Sequence, residues 1–139
     1  MRKSLLSFVM LLAVPGLVMA GPSRGKYVRP ADAKSKAFAA ALVALKITNF
    51  TPARRGPFVY TQMRFADDDT WTGNGYVEIE DERMECVESG SWSMEPADSA
   101  TVAVVAWKVD STDCTGRTAG GETRAEFTIA NSRLDAVFR

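Results

Sequence analysis

The sequence predicts a mainly β (α+β) fold, with one N-terminal helix packed on a curled antiparallel sheet, or open barrel, of five to six strands. Apolar and polar residues alternate in short segments from residue 58 to residue 138. A period of two is typical of strands that bury one face. An alanine-rich segment before them has helical spacing instead. Clusters of Gly, Asp and Pro separate the segments and indicate turns.

The first 20 residues are organised like a signal peptide. Arg2 and Lys3 are cationic, an apolar run follows over residues 5 to 18, and small residues precede position 21. A transmembrane anchor is the alternative, but the run is short for a span of about 20 residues. We expect cleavage after Ala20, a secreted or periplasmic protein, and no stable membrane span after cleavage.

The mature chain is expected to form one domain behind a short tail. Cleavage leaves 119 of the 139 residues, which suits a domain that buries roughly two-thirds of its unfolded surface. Residues 21 to 29 carry few apolar groups and predict a flexible tail, so the domain spans residues 30 to 139. The near balance of 15 basic and 17 acidic side chains makes no case for nucleic acid.

Charge is distributed unevenly along this chain. Residues 21 to 65 carry nine basic side chains against Asp32 alone, whereas residues 66 to 100 carry eleven acidic side chains against Arg83 alone. One interpretation is a basic arm or an acidic patch that meets a partner. The other is a solvated surface on which the two halves neutralise each other.

The helix is predicted from about Asp32 to Leu45. Pro30 and Asp32 are typical of a helix start. One face carries the apolar side chains at helical spacing, namely Phe38, Ala41, Leu42 and Leu45. An alanine-rich helix of this length is marginal alone, so we expect Phe38 and Leu42 to dock on the sheet.

The predicted strands cover residues 58–65, 76–79, 84–94, 101–109, 122–129 and 134–138. Before the second of them, Gly73-Asn74-Gly75 indicates a tight hairpin or a bulge, because Gly and Asn tolerate positive φ. The segment 101–109 is apolar on both faces, which is typical of a central strand. In the segment 122–129, Ala125 and Phe127 share the inward face.

A family resemblance rests on three of these segments. They are Thr-Trp-Thr-Gly-Asn-Gly-Tyr at 70–76, Ser-Gly-Ser-Trp-Ser-Met at 89–94 and Phe-Thr-Ile at 127–129. In this order, with an apolar strand and a cysteine between the last two, the chain from 58 to 139 resembles small lipocalin-like β-meander proteins secreted by bacteria. The resemblance implies a curled sheet and assigns no binding residue.

Two cysteines are present, Cys86 and Cys114. In an exported chain the pairing of two thiols is favoured over a reactive thiol. A disulfide would enclose 29 residues and stabilise the fold by roughly 3.5 kcal/mol in the chain-entropy model.

The composition argues against most catalysis and against metals. There is no histidine, the commonest general base and metal ligand. A carboxylate pair for glycoside hydrolysis would come from Glu78, Glu80, Glu85 or Glu88, yet no motif sets an acid beside a cleft. The carboxylates of 67–69 suggest calcium, but the ligand pattern of a calcium-binding loop is missing. We therefore expect no enzyme, no cofactor and no metal.

Two functions remain as hypotheses. The first is an interaction module that presents a sheet face, edge or loop to another envelope or extracellular protein, for example as an inhibitor. The second is a carrier of a small apolar ligand. Its cavity would be lined by Trp71, Trp92, Trp107 and Phe127, for which core packing is the alternative role.

Overall fold

The computed structural model describes residues 27–51 and 58–139. The predicted signal peptide, and residues 21–26 of the predicted tail, lie outside this range. One helix, α1 (Ala33–Ala44), precedes the strands β1 (Ile47–Phe50), β2 (Phe58–Phe65), β3 (Thr70–Ile79), β4 (Glu82–Met94), β5 (Val102–Thr112), β6 (Glu122–Ala130) and β7 (Arg133–Phe138). They form a single antiparallel sheet in chain order. No helix of the described part is long and apolar enough to cross a membrane.

The sheet has seven strands, so the predicted count of five to six is wrong. The prediction omitted β1, because only Ile47 of its four residues is buried and no alternation is visible. For the part of the chain that the structure describes, the mainly β class, the one helix and the antiparallel order are confirmed. The sheet curls into a nearly closed barrel, in which the Phe50 ring of β1 lies 5.8 Å from the Phe138 ring of β7.

The Gly-Asn-Gly sequence lies within β3 and makes no hairpin. A bulge does occur there, but its extra residue is Thr61 on β2, since Tyr60 pairs with Gly75 and Gln62 pairs with Asn74. A Cβ at Gly73 would lie 2.8 Å from Cδ1 of Tyr60. The glycine is needed because an aromatic ring crosses the strand at this point.

Helix α1 lies across one end of the barrel, which we call the helix end. Its N-terminus is capped by the Asp32 side chain, which accepts a hydrogen bond from the Ser35 backbone N–H. Phe38 and Leu42 are fully buried, and α1 lies against β2 and β5. The predicted helix and its docking residues are confirmed. Buried Ser35 adds a link, because its hydroxyl accepts from the Ala97 N–H at 2.8 Å.

The opposite end of the barrel is covered by residues 113–121, which join β5 to β6. We call it the loop end. Arg117 of this connection reaches inward, with its guanidinium carbon 4.2 Å from the centroid of the Phe58 ring. The two ends are therefore closed by different chemistry, apolar side chains at one and a cation at the other.

Candidate functional site

The four aromatic residues predicted to line a cavity are all buried in the barrel. Trp71, Trp92, Trp107 and Phe127 are each no more than 3% exposed. Phe65 lies among three of them, with ring centroids 5.5 Å from Trp92 and 6.0 Å from both Trp107 and Phe127. Trp71 instead packs edge-on against Tyr60 at 5.8 Å.

The indole N–H groups of Trp71 and Trp92 each donate a hydrogen bond to a backbone carbonyl. Trp71 donates to the carbonyl of Lys108 at 2.8 Å, and Trp92 donates to that of Ala66 at 2.9 Å. The rings thus pack on one another as a core does, with their N–H groups bonded to backbone. A ligand-lining role for them stays a prediction.

The loop end contains a buried carboxylate, Glu88, whose side chain is wholly inaccessible. Its Oε1 accepts from the Tyr60 hydroxyl at 2.7 Å and from Arg117 at 3.0 Å. Its Oε2 accepts from the Thr112 hydroxyl at 2.7 Å and from the Arg117 Nε at 2.5 Å. Both carboxylate oxygens therefore have two donors each, which satisfies the buried charge.

The surroundings shift the pKa of each ionisable group of this network. Burial alone would raise the pKa of Glu88, but the hydrogen bonds from Arg117, Tyr60 and Thr112 outweigh it and lower that pKa. Burial and the neighbouring carboxylate raise the pKa of Tyr60 far above its ordinary value. Burial would lower the pKa of Arg117, yet its contacts with Glu88 raise it. At neutral pH the network holds an anion and a cation around a neutral phenol.

The other carboxylates considered for acid and base catalysis do not join Glu88. Glu78 and Glu85 are exposed on the outer side of β3 and β4, and Glu80 is exposed in the turn between these strands. Since side chains alternate along a strand, Glu85 and Glu88 lie on opposite faces of β4. What Glu88 does in this arrangement is hold Arg117, and with it the connection between β5 and β6, against the barrel. Sequence reasoning missed this role, although Glu88 falls in register with inward-facing Cys86.

The predicted disulfide between Cys86 and Cys114 is present, with Cα atoms 5.0 Å apart. It ties β4 to the start of the same connection that Arg117 anchors. Asp113 strengthens the junction, since its side chain accepts from the Val87 N–H at 2.7 Å. Cys86, Asp113 and Cys114 lie close enough together to resemble a set of metal ligands. The two sulfurs are bonded to each other, however, so they are not thiolate ligands.

The aspartates at 67–69, considered for calcium, lie at the helix end, and two of them bind an arginine. Arg29 contacts Asp67 at 3.2 Å and also pairs with Asp69. Its guanidinium lies 4.8 Å from the Trp92 ring centroid. The Tyr27 hydroxyl accepts from the Met94 N–H at 3.1 Å. Tyr27 and Arg29, which belong to the segment predicted as a tail, therefore contact the barrel.

Beside the loop end, the last residues of β3, the turn that follows and the first residues of β4 form an acidic hairpin, residues 78–85. It carries five carboxylates and one cation, Arg83, whose guanidinium stacks over Tyr76 at 3.8 Å. None of the five has an ion-pair partner among residues 27–51 and 58–139. The acidic segment of the chain therefore leaves these carboxylates exposed, and a partner for them stays a prediction. In the part described, Arg29 is the only basic side chain of residues 21–65 that forms an ion pair with an acid of residues 66–100.

The barrel has one open side, formed by the edges of β1 and β7. These are the two ends of the strand order, and no hydrogen-bonded ladder joins them within the described residues. A groove of about 310 Å³ separates them, lined by residues 45–50 and 132–134. At the loop end the groove is bridged by the rings of Phe50 and Phe138.

Among residues 27–51 and 58–139, no strand pairs with the outer edge of β7, which presents backbone groups to this groove. The two-residue turn at 131–132 makes Ala130 and Arg133 a hydrogen-bonded pair, and such pairs then alternate along an antiparallel ladder. Arg133, Asp135 and Val137 therefore bond to β6, a pattern that continues with the Arg139 N–H bonded to the Arg124 carbonyl at 2.9 Å. The backbone groups of Leu134, Ala136 and Phe138 point the other way, toward the open side.

Comparison with known proteins adds no relative, since no family model, curated protein or solved structure matches this chain.

Proposed function

We propose that this protein is a secreted or periplasmic, non-catalytic interaction module that binds an extended segment of another envelope or extracellular protein along its open side. The observation that carries the proposal is the strand count. Because each of the seven strands is antiparallel to the next, β1 and β7 run in the same direction. One further strand, antiparallel to both, can hydrogen-bond to both edges and complete an all-antiparallel barrel of eight.

The rest of the molecule supports binding at an edge over binding inside. The interior is occupied by packed rings, and Glu88 has all its carboxylate oxygens engaged. An unpaired edge, in contrast, is a template for another chain unless it is blocked. Here β7 has neither Pro nor an inward-pointing charge, and Val137 on its outer face is 63% exposed.

The disulfide supports export, because such bonds persist mainly outside the cytoplasm. N-terminal sequencing of protein collected from the periplasm or medium should begin at Gly21. Recovery of a chain that starts at Met1 would contradict the export part of the proposal and leave the binding part untouched.

Binding can be tested by panning a displayed library of random linear peptides against the mature protein. The Ala136→Pro variant removes one free N–H from the open edge without removing a bond to β6, so selected peptides should bind it at least tenfold more weakly. Ala136→Ser keeps the N–H and should bind as the wild type does.

Hydrogen exchange then locates the contact. A bound peptide should slow exchange at the amides of Leu134, Ala136 and Phe138, because they gain hydrogen bonds. Peptides that bind the proline variant equally well, or that protect only amides elsewhere, would show that the open side is not the binding site.

A further inference from the structure

The groove between β1 and β7 is lined by positively charged and apolar side chains. Its lining contains two cations, Lys46 and Arg133, and no carboxylate. Apolar side chains form the rest of its walls, chiefly Leu45, Ile47, Phe50 and Leu134. A segment that fits this groove thus needs an apolar side toward the barrel and meets positive charge at the rim.

These two cations are also unpaired. Arg29, Arg117, Arg124 and Arg139 each have a carboxylate partner. The side chains of Lys46 and Arg133 have none within the part of the chain that the structure describes. Both are exposed and line one groove, so each raises the positive potential at the other.

We infer that the segment taken up by the open side is acidic, with a carboxylate at the level of Lys46 and Arg133 and apolar residues at alternate positions. The inference rests on the proposed function and adds the chemical class of its partner. Complementary charge of this kind selects among partners and sets orientation more than it adds affinity. At exposed positions two such contacts together account for about a tenfold preference.

The protein's own segments outside the described residues do not have this chemistry. Residues 1–26 carry four basic side chains, residues 52–57 carry Arg54 and Arg55, and neither segment contains an acid. Like charges in the groove would be repelled. The occupant that charge favours is therefore a segment of a different protein.

The test uses peptides selected from the library above, each synthesised in two forms that differ only in Glu→Gln and Asp→Asn. Wild-type protein should bind the acidic form about tenfold more tightly than the amide form. The variant K46Q/R133Q should bind the two forms equally. The matched control R64Q/K108Q removes two exposed cations outside this groove and should keep the preference.

Each other result has a defined meaning. Equal binding of both forms by the wild type overturns the acidic partner and leaves the open-side function in place. If K46Q/R133Q still binds the acidic form more tightly than the amide form, the carboxylate contacts another part of the protein, which also overturns the inference. Retained binding by Ala136→Pro overturns the function itself. Concentration-dependent dimers that acidic peptides dissociate would identify the acidic hairpin of a second copy as the occupant, which likewise overturns a foreign partner.

Discussion

The two ends of the barrel are closed in opposite ways. At the helix end, α1 buries Phe38 and Leu42 in the core. At the loop end, Arg117 and Glu88 form a buried ion pair, and a disulfide holds the connection that carries Arg117. An apolar closure depends on the area removed from water and tolerates small shifts. A buried ion pair depends on geometry, because its attraction must offset the loss of hydration of both charges.

Stability and specificity therefore reside at different ends of this barrel. The buried apolar contacts of Phe38 and Leu42 at the helix end should contribute free energy of unfolding that hardly depends on pH. The ion pair at the loop end should contribute less net free energy of unfolding. It should instead fix the position of residues 113–121, because any other position of Arg117 would leave the buried Glu88 without its cation. We expect four substitutions or conditions to separate these contributions.

Phe38→Ala should have the largest effect. The ring is fully buried at the helix end, so its loss should lower the free energy of unfolding by about 3 to 5 kcal/mol. Denaturant titration measures the change, with exposed Lys36→Ala on the same helix as the control. A loss below about 0.5 kcal/mol would mean that the helix end is closed by something other than α1.

Removal of the disulfide should come next. The double substitution of Cys86→Ala and Cys114→Ala opens a loop of 29 residues, and the expected loss is about 3.5 kcal/mol. Reductant should lower the denaturation midpoint of the wild type and have no effect on the variant. If reductant leaves the wild type unchanged, the bond is not what secures the loop end.

Arg117→Met should cost about 2 kcal/mol at neutral pH, less than a fully buried pair because Arg117 is 30% exposed on its side chain. The loss arises because Glu88 stays buried without its cation. Adding Glu88→Leu should therefore recover most of the loss, as replacement of a buried pair by apolar residues often does. A double variant that is weaker than the single one would show that the pair itself supplies net stability.

The smallest effect concerns pH. Because hydrogen bonds lower the folded-state pKa of Glu88, its contribution is fully present above the ordinary glutamate value of about 4.3 and is lost as pH falls through the lower folded value. Glu88→Gln lacks this titration. The free energy of unfolding should thus fall more steeply in the wild type between about pH 5 and pH 3. Parallel curves for the two proteins would contradict the charged state of Glu88.

Prediction from sequence succeeded for the helix and for strand faces, as in β6, where Ala125 and Phe127 are buried as expected. It failed for β1, whose four residues carry no periodic signal. The candidate site was almost wholly missed. The open side exists only because of the strand count, and Arg117 lies 29 positions from Glu88 with no motif joining them.

Local sequence patterns were enough to identify the buried faces of α1 and β6, the start of α1, and the pairing of Cys86 with Cys114. Helical spacing, alternation and capping act between neighbours along the chain, and two cysteines in one domain allow one intramolecular pairing. Only the folded chain brings β1 and β7 to face each other across a groove and lets Arg117 reach Glu88. Both outcomes depend on twist and register accumulated over seven strands, which no local segment encodes.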